Sequence, residues 1–482
     1  MLKLLLFLPV AGALLTGVWP GLGSAGRWRL ASLFSAGTLA LVLLLAWRYD
    51  PAGPVFQFEE SQAWNARLGS YFALGVDGIA VALLLLTALL TLVAVLVSRH
   101  TARGGRLYYT LLLLLESAIF GVFSARDWSL FYVFWEATLV PLFFLIDRLG
   151  GADRQRAALN FFLYTLGGSV FMLVALLFLY DAAPGHSFAM ADMAAGGQAL
   201  DSRMQLLIFA GLFLGFAVKM PVFPVHGWLP LAHVEAPSPV SILLSGVLLK
   251  MGAYGVIRAA QTLPAGLLAA QEALVVLALI SLLYGGMLAW RQQDLKAMVA
   301  YSSISHMGVV LLGIATPGGN GLTGAVLQMV AHGLSAGLLF LLVGLLYQRQ
   351  HSRDLAAYGS LQEVAPRFAL FIAFGWLAGL GLPGSAGFVA EVHVLLALLA
   401  SHGVWAAALG LALLIAAAAS LRVIGRLCLP GPAAHGIADL GRAETVAASL
   451  LVLAIILLGL WPAPLLQLIG NSVAQLVSGM GA

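Results

Sequence analysis

The sequence predicts an all-α polytopic membrane protein, and three observations lead to that prediction. The 482 residues are 61% hydrophobic and only 9% charged, whereas soluble domains are about 25% charged. The apolar runs are long enough to cross a bilayer as helices, which takes about 20 residues each, and they far exceed barrel strands. Lys and Arg also divide unevenly between the loops. A soluble enzyme and a disordered chain are therefore excluded.

Fourteen apolar segments are predicted to be spanning helices. They cover residues 2–19, 28–47, 79–98, 107–124, 128–147, 158–180, 205–225, 238–260, 271–290, 297–315, 322–347, 367–398, 404–427 and 445–467. We expect the first segment to remain in the protein, because it lacks a strongly basic leader and a clear small-residue cleavage site.

The basic residues give the predicted topology. Of the 24 Lys and Arg residues, 16 fall in loops from an odd span to the next even span and six fall on the other side. The remaining two, Lys219 and Lys250, lie inside spans. Because cytoplasmic loops are rich in Lys and Arg, the loops near Arg103, Arg154 and Arg353 are predicted to be cytoplasmic. Both termini then face the opposite side.

Few kinds of cofactor fit this composition. The single cysteine, Cys428, excludes a disulfide scaffold, a cysteine-based zinc site and an iron–sulfur cluster. The sequence has no Walker loop, no dinucleotide fingerprint and no haem or flavin signal. A net charge of +4 is too small and too dispersed for nucleic acid. We therefore expect this chain to bind no cofactor and to carry out no redox chemistry itself.

Ionisable residues recur inside the predicted spans. A charged side chain at membrane depth costs several kcal/mol, so each one suggests a function. The set mixes acids, lysines and histidines, which is the composition of a proton relay. Its members are Glu116, Glu136, Lys219, Lys250, His306, His332, Glu391 and His393.

Lys219 stands just before a predicted break in span 7. Pro221 and Pro224 follow it and interrupt the backbone hydrogen bonds, which a membrane helix tolerates only beside protein or a hydrated cavity. Glu136 lies about eight residues into span 5, and its charge would favour the charged form of a nearby lysine. The two residues are predicted to act as a charge switch.

Four more residues continue the predicted relay. Lys250 lies some twelve residues into span 8, too deep to snorkel to the surface. His306 and His332 lie in spans 10 and 11 near several serines, which favours a hydrated wire. Glu391 follows a second predicted interruption in span 12. Glu116 is either a relay member or a buried, protonated acid, and the sequence leaves both readings open.

The pattern of spans suggests an internal repeat. Spans 4–8 and 9–13 each contain five helices, and the fourth helix of each block is interrupted beside an ionisable residue. Because five is odd, the blocks are inverted relative to each other, as in secondary transporters. The predicted divisions are residues 1–106 for helices 1–3, 107–260 and 271–427 for the two repeats, and 445–467 for the last helix.

Three long stretches resemble one family. FWEATLVPLFFLI, KMPVFPVHGWLPLAHVEAPSPVSILLSGVLLKMGAYG and DLKAMVAYSSISHMG are similar to the proton-pumping antiporter-like subunits of respiratory complex I, the NADH:quinone oxidoreductase. Among these, the chain most resembles the subunit M family, which is chain 4 in mitochondrial naming. The resemblance covers nearly the whole chain.

The resemblance implies a place and a set of roles. It implies fourteen core helices in a bacterial inner membrane, with both termini periplasmic and helices 7 and 12 broken. NADH, FMN, iron–sulfur clusters and quinone are expected on partner subunits, and the other membrane subunits, including sister antiporter-like ones, are the expected partners. Glu391 occupies a position that is glutamate in subunit M and lysine in subunits L and N. The proton-carrying residues implied by the family are Glu136, Lys219, Lys250, His306, His332 and Glu391.

Three other functions use the same kind of chain. The first is a subunit of a multi-subunit cation/proton antiporter, and the second is a subunit of a membrane-bound hydrogenase-type complex. The third is a structural scaffold with inactive channels, which the occupied relay positions disfavour. Identifying the partner subunits would separate the first two from complex I.

Overall fold

The computed structural model describes residues 1–100, 105–430 and 437–479, so Arg103 lies outside it. The described chain is almost entirely helical, with one two-stranded sheet. Twelve of its helical segments are long and apolar enough to cross a membrane. The chain is thus a multi-pass helical membrane protein, as predicted.

The count of fourteen spans is not reproduced by length and apolarity. The first predicted span is the shorter helix Leu2–Val18, and the first half of predicted span 12 is the short helix Pro366–Gly379. The second half of span 12 and span 13 form one helical stretch of 43 residues, Ala386–Cys428. The count of fourteen and the inverted repeats therefore stay predictions.

The N-terminal part contains a β-hairpin between the second and third predicted spans. Residues 48–78 include an antiparallel hairpin, in which Gly69 adopts a left-handed conformation with φ of +57° at the turn. Glycine pays no steric cost there because it lacks a Cβ. The elements are α1 (Leu2–Val18), α2 (Ser24–Arg48), β1 (Gln57–Asn65), β2 (Ser70–Val76) and α3 (Gly78–Val97).

The middle part contains the first interrupted helix. At the end of this part, the helix Leu249–Thr262 continues the short helix Ser238–Leu243 through a π-helical segment, Leu244–Leu248. The elements are α4 (Gly105–Ser124), α5 (Trp128–Ala137), α6 (Leu139–Leu149), α7 (Arg154–Ala182), α8 (Met190–Ala199), α9 (Ser202–Lys219), α10 (Trp228–Glu235), α11 (Ser238–Leu243) and α12 (Leu249–Thr262).

The C-terminal part contains the second interrupted helix. The last predicted span, 445–467, is divided between two helices in the structure. The helix Arg442–Leu460 ends before Pro462, which lacks a backbone N–H, and a further helix, Ala463–Gly479, follows. The elements are α13 (Pro264–Arg291), α14 (Leu295–Ala315), α15 (Gly319–Gln350), α16 (Leu361–Val364), α17 (Pro366–Gly379), α18 (Ala386–His402), α19 (Ala406–Cys428), α20 (Arg442–Leu460) and α21 (Ala463–Gly479).

Helix α15 forms the centre of the bundle. Its most apolar 18-residue window is fully buried, and it packs against α3, α11, α14, α17, α18 and α20. Small residues allow this packing. A Cβ on Gly333 of α15 would lie 2.7 Å from the carbonyl oxygen of Gly246 in the π-helical segment, so the two backbones approach more closely than larger residues allow. This contact brings the neighbouring His332 and Lys250 together.

A buried ion pair ties α3 to α12. The Asp77 carboxylate caps α3 by accepting a hydrogen bond from the backbone N–H of Ala80 at 2.8 Å. The same carboxylate lies 2.8 Å from the Arg258 guanidinium, and both side chains are at most 3% exposed. Charges removed from water in this way are tolerated because each compensates the other.

Candidate functional site

Glu136 and Lys219 lie close together but do not form a direct ion pair. The buried ammonium of Lys219 donates a hydrogen bond to the Thr138 hydroxyl at 3.0 Å, and it lies 4.9 Å from the centre of the Trp135 ring. Glu136, on the same helix as Trp135, acts on this charge electrostatically. One Glu136 oxygen is buried without a hydrogen-bond partner among the described residues. The Thr138 hydroxyl in turn donates to the Trp135 carbonyl at 2.7 Å, so the ammonium is held by Thr138 and not by the carboxylate.

The local sequence explains this placement. Helix α5 ends at Ala137, and Pro141 in α6 has no N–H to give the Ala137 carbonyl, so the span turns at Thr138. Lys219 is the last residue of α9, where the helix carbonyls favour a cation. The chain then leaves the helix over residues 220–227 and resumes at Trp228, whose indole N–H donates to the Val218 carbonyl at 2.8 Å. The predicted break after Lys219 is present.

Lys250 is completely buried beside the π-helical segment. Its Nζ donates to the Ser245 carbonyl oxygen at 2.6 Å and lies 2.7 Å from Nδ1 of His332. A π-helical turn changes the carbonyl pairing of a helix and often marks a functional site. The Ser245 hydroxyl also pairs with the Ser303 hydroxyl at 2.9 Å. Lys250 is buried within the bundle, and the π turn beside it has no local signal in the sequence.

The two predicted histidines are in contact with each other. Their rings stack with centroids 5.0 Å apart and planes 28° apart. Nδ1 of His332 faces Lys250, and Nε2 has no hydrogen-bond partner in the described chain. Lys250, His332 and His306 thus form one continuous row, which is buried at Lys250 and His332 and half-buried at His306.

The His306 ring is held between two backbone carbonyls. Nδ1 lies 2.7 Å from the Ser302 oxygen, and Nε2 lies 2.7 Å from the Gly379 oxygen. Neutral imidazole has one N–H, whereas imidazolium has two and can donate to both carbonyls. The surroundings of His306 therefore suit a residue that carries an extra proton for part of a cycle. Gly379 is also the last residue of α17, so His306 contacts the second interrupted helix directly.

Glu391 lies at that second interruption. Helix α17 ends at Gly379 and α18 begins at Ala386, with Gly381 at φ +76° and Gly384 at φ +93° between them. The Glu391 carboxylate rests against Gly381 so closely that a Cβ there would overlap Oε2. A side chain at position 381 would displace the carboxylate, and the positive φ there favours glycine. The predicted second break is present.

A cavity connects the histidines to Glu391. Its lining includes His306, His332, Ser335, Trp376 and Glu391. It offers about 40 Å³ for the centres of water molecules, and one water needs about 10–15 Å³ by that measure. About three waters therefore fit between His306 and Glu391, enough to bridge groups that do not touch.

Lys296 and His233 are also buried, although they were not among the predicted candidates. Lys296, which the span count placed in a cytoplasmic loop, is buried in the first turn of α14, because Asp294 caps the helix earlier. Its Nζ donates to the Ala236 carbonyl at 2.7 Å. His233 stacks on Phe340 at 4.4 Å, and neither ring nitrogen has a partner in the described chain. His233 lies in the second of the three stretches that resemble the family, but nothing in the sequence showed its burial.

The two residues with no assigned role lie apart from this row. Glu116 is fully buried in α4, and both carboxylate oxygens lack a hydrogen-bond partner among described residues. His393 is half-buried in α18, and its Nδ1 lies 2.8 Å from the Val389 carbonyl oxygen. Across the described ranges, no group of three or more His, Cys, Asp or Glu side chains is arranged to hold a metal ion.

Known proteins are similar to this chain in sequence and in fold. Residues 125–416 match the family described as NADH:quinone oxidoreductase/Mrp antiporter, transmembrane. The chain is 38% identical to NADH-quinone oxidoreductase subunit M of Rhodobacter capsulatus, over all of this chain and 97% of the relative.

Solved structures agree with the sequence relatives. A chain of respiratory complex I from Thermus thermophilus, solved with bound NADH, is 34% identical and superposes with a TM-score of 0.91, covering 99% of this chain and all of that one. The Mrp complex from a Dietzia species contains a chain with the same fold at 23% identity and a TM-score of 0.87, covering 99% and 97%. The chain belongs to the NADH-quinone oxidoreductase subunit M family.

Proposed function

We propose that the chain is a proton-translocating membrane-arm subunit of an NADH:quinone oxidoreductase. Electron transfer to quinone elsewhere in the complex would drive protons through the buried row in this chain. The observation that carries the proposal is the contact between Lys250 and His332 at 2.7 Å, which continues through His306 to the cavity at Glu391. Family membership supplies the kind of complex.

Proton transfer along the row needs only small movements. The Lys250 ammonium already points at Nδ1 of His332, so the proton passes over one hydrogen bond. His332 and His306 stack, and a water in the adjoining cavity carries the proton from the free Nε2 of His332 to the unprotonated ring nitrogen of His306, which then donates to its backbone carbonyl. His306 holds it between the Ser302 and Gly379 carbonyls, and Glu391, anionic when empty, receives it through water in the cavity.

Glu136 and Lys219 would control this row by charge. A carboxylate near a buried ammonium stabilises it by Coulomb attraction, which is stronger in protein than in water. Neutralising Glu136, or moving it away from Lys219, removes that stabilisation and releases the lysine proton. The Thr138 hydroxyl, which accepts a hydrogen bond from the ammonium, keeps it in place.

The redox groups belong to partner subunits in this proposal. NADH, FMN, iron–sulfur clusters and quinone would be bound by other chains, and this chain would receive a conformational or electrostatic signal from them. Its partners would include the other membrane subunits, the sister antiporter-like chains among them, in a bacterial inner membrane.

The decisive experiment replaces the acid at the end of the row. Glu391→Gln removes the charge while keeping the shape, so we expect lower proton uptake per electron and, because pumping is coupled, slower electron transfer. Glu391→Asp should retain part of both activities. The measurement uses vesicles carrying the assembled complex, with assembly checked by the amount of co-purified partner subunits.

The outcomes separate function from assembly. An unchanged proton-to-electron ratio at unchanged turnover in a fully assembled Glu391→Gln complex would remove Glu391 from the mechanism. A loss that follows poor assembly, and is equal for Gln and Asp, would mean that Glu391 only braces α18.

The orientation is a separate part of the proposal. The uneven loop charges favour cytoplasmic loops near Arg154, Arg353 and Arg426, with both termini periplasmic. Single cysteines placed in these loops, in a Cys428→Ala background, should react with an impermeant thiol reagent only from the cytoplasmic side. Labelling from the periplasmic side alone would overturn the topology.

A cation/proton antiporter subunit is the second candidate. The family description names both kinds of complex, and an Mrp chain shares the fold. Purification of the native complex distinguishes them, because complex I contains NADH- and quinone-binding subunits and an antiporter contains further small membrane subunits without redox centres.

A further inference from the structure

We infer that Trp376 is a positioning residue for proton transfer, whose indole N–H holds a water molecule between His306 and Glu391. This inference rests on the proposed function, since it concerns a step inside that relay. It differs from the relay itself because Trp376 neither gains nor loses a proton.

The indole N–H of Trp376 is buried without an acceptor. The side chain is 4% exposed, and no described residue accepts a hydrogen bond from Nε1. A buried donor left unpaired costs about 1–3 kcal/mol. The Trp228 N–H, in contrast, reaches the Val218 carbonyl at 2.8 Å, and the unpaired indoles of Trp128 and Trp135 do not line the cavity at Glu391. Trp376 has no such backbone acceptor.

The acceptor that fits is a water in the adjoining cavity. Trp376 lines the cavity together with His306, His332 and Glu391. Glu391 receives no hydrogen bond from any described residue, although a buried carboxylate requires donors. An unpaired donor and an unpaired acceptor thus line one cavity that has room for about three waters. One water satisfies both by accepting from Nε1 and donating to the carboxylate.

The position of Trp376 along α17 suits this task. It lies three residues before Gly379, whose carbonyl faces Nε2 of His306, and five before Gly381, against which the Glu391 carboxylate rests. The same short segment therefore fixes the indole, the histidine and the acid. Movement of this segment would move the indole and change the contacts of His306 and Glu391.

The chemistry of indole explains the advantage of tryptophan here. Its nitrogen is a donor only, so it fixes one lone pair of the water without competing for the transferred proton. The other lone pair can accept the proton from His306, and an O–H of the water can pass its proton to Glu391. A serine or histidine at this place would itself accept protons.

The test removes the N–H and keeps an aromatic ring. Trp376→Phe should slow proton-coupled NADH:quinone turnover by about three- to tenfold, as expected for one lost hydrogen bond, with normal assembly. Trp461→Phe is the matched control, because Trp461 is exposed and lies outside the cavity; it should leave turnover unchanged.

Infrared spectroscopy gives a readout that packing alone would not move. The carboxyl band that disappears in Glu391→Gln identifies Glu391, and this band should shift in Trp376→Phe, as one hydrogen-bonding water is lost. It should stay in place in Trp461→Phe. In a Glu391→Gln background, Trp376→Phe should add little to the defect.

Each outcome decides one statement. An unshifted Glu391 band with wild-type turnover in Trp376→Phe overturns the positioning role, whatever Glu391 does. A defect in Trp376→Phe that is equally large in the Glu391→Gln background also overturns it, because the indole then acts elsewhere. If Glu391→Gln itself pumps normally, the proposed relay fails instead.

Discussion

At the first interrupted helix the Lys219 ammonium is enclosed by protein, whereas at the second the Glu391 carboxylate faces a cavity. Lys219 donates to the Thr138 hydroxyl and lies against the Trp135 ring. Glu391 has no donor among the described residues and rests on Gly381 beside space for about three waters. The two breaks share a backbone design but give their ionisable groups opposite surroundings.

The difference suggests a division of labour. A charge held by fixed protein groups responds to other charges, because its partners cannot rearrange as water does. A carboxylate beside mobile water exchanges protons readily. The surroundings of Lys219 therefore suit a response to the charge of Glu136, and the surroundings of Glu391 suit proton exchange with water. Substitutions can alter the surroundings of Lys219 and of Glu391 separately.

The largest effect is expected at the enclosed Lys219 ammonium. Glu136→Gln removes a charge that acts on Lys219, an interaction worth up to about 4 kcal/mol at 4 Å, so proton pumping should fall by at least about tenfold. Glu136→Asp should be milder, since it keeps the charge. Proton uptake per NADH oxidised in vesicles measures both, and normal pumping by the glutamine variant would refute the control of Lys219 by Glu136.

An intermediate effect is expected from the glycine under the carboxylate. Gly381→Ala places a Cβ where Oε2 of Glu391 lies and should reduce pumping by displacing the acid. Gly384→Ala is the matched control: it has a similar positive φ of +93° and hence similar strain of about 1–2 kcal/mol, but its Cβ meets only Leu460 at 3.6 Å. Equal pumping by the two assembled variants would show that strain, and not displacement, causes any loss.

The smallest effect is expected from the Thr138 hydroxyl that accepts a hydrogen bond from Lys219. Thr138→Val keeps the shape of the side chain but removes the acceptor for the ammonium, and a hydrogen bond to a charged group is worth about 1.5–3 kcal/mol. Pumping should fall less than in Glu136→Gln, and Thr138→Ser should stay close to the wild type. A serine variant as poor as the valine variant would indicate a packing role.

The sequence predicted which ionisable residues lie inside the bundle better than it predicted their contacts. Apolar length, proline and buried charge are local signals, and they located the two breaks and the six candidate side chains. The acceptors around them are mostly backbone carbonyls, such as those of Ser245 and Gly379. Every residue has a carbonyl, so only the three-dimensional structure shows which ones face a lysine or a histidine.

Other differences have similar causes. The hairpin β1–β2 contains polar residues and follows glycine and proline, which favoured a loop interpretation. The π turn before Lys250 lies where Gly246 packs closely on Gly333, which is a contact between distant parts of the chain. Lys296 appeared to be a loop charge because hydropathy alone did not show that Asp294 begins the helix before it.

The ion pair between Asp77 and Arg258 has a consequence for how this chain can vary among related organisms. Loss of one partner leaves an uncompensated buried charge, at a cost of about 3–5 kcal/mol, while replacing both by apolar residues is often neutral or favourable. In an alignment of homologous chains, positions 77 and 258 should therefore covary, as a sequence signature of the contact between α3 and α12.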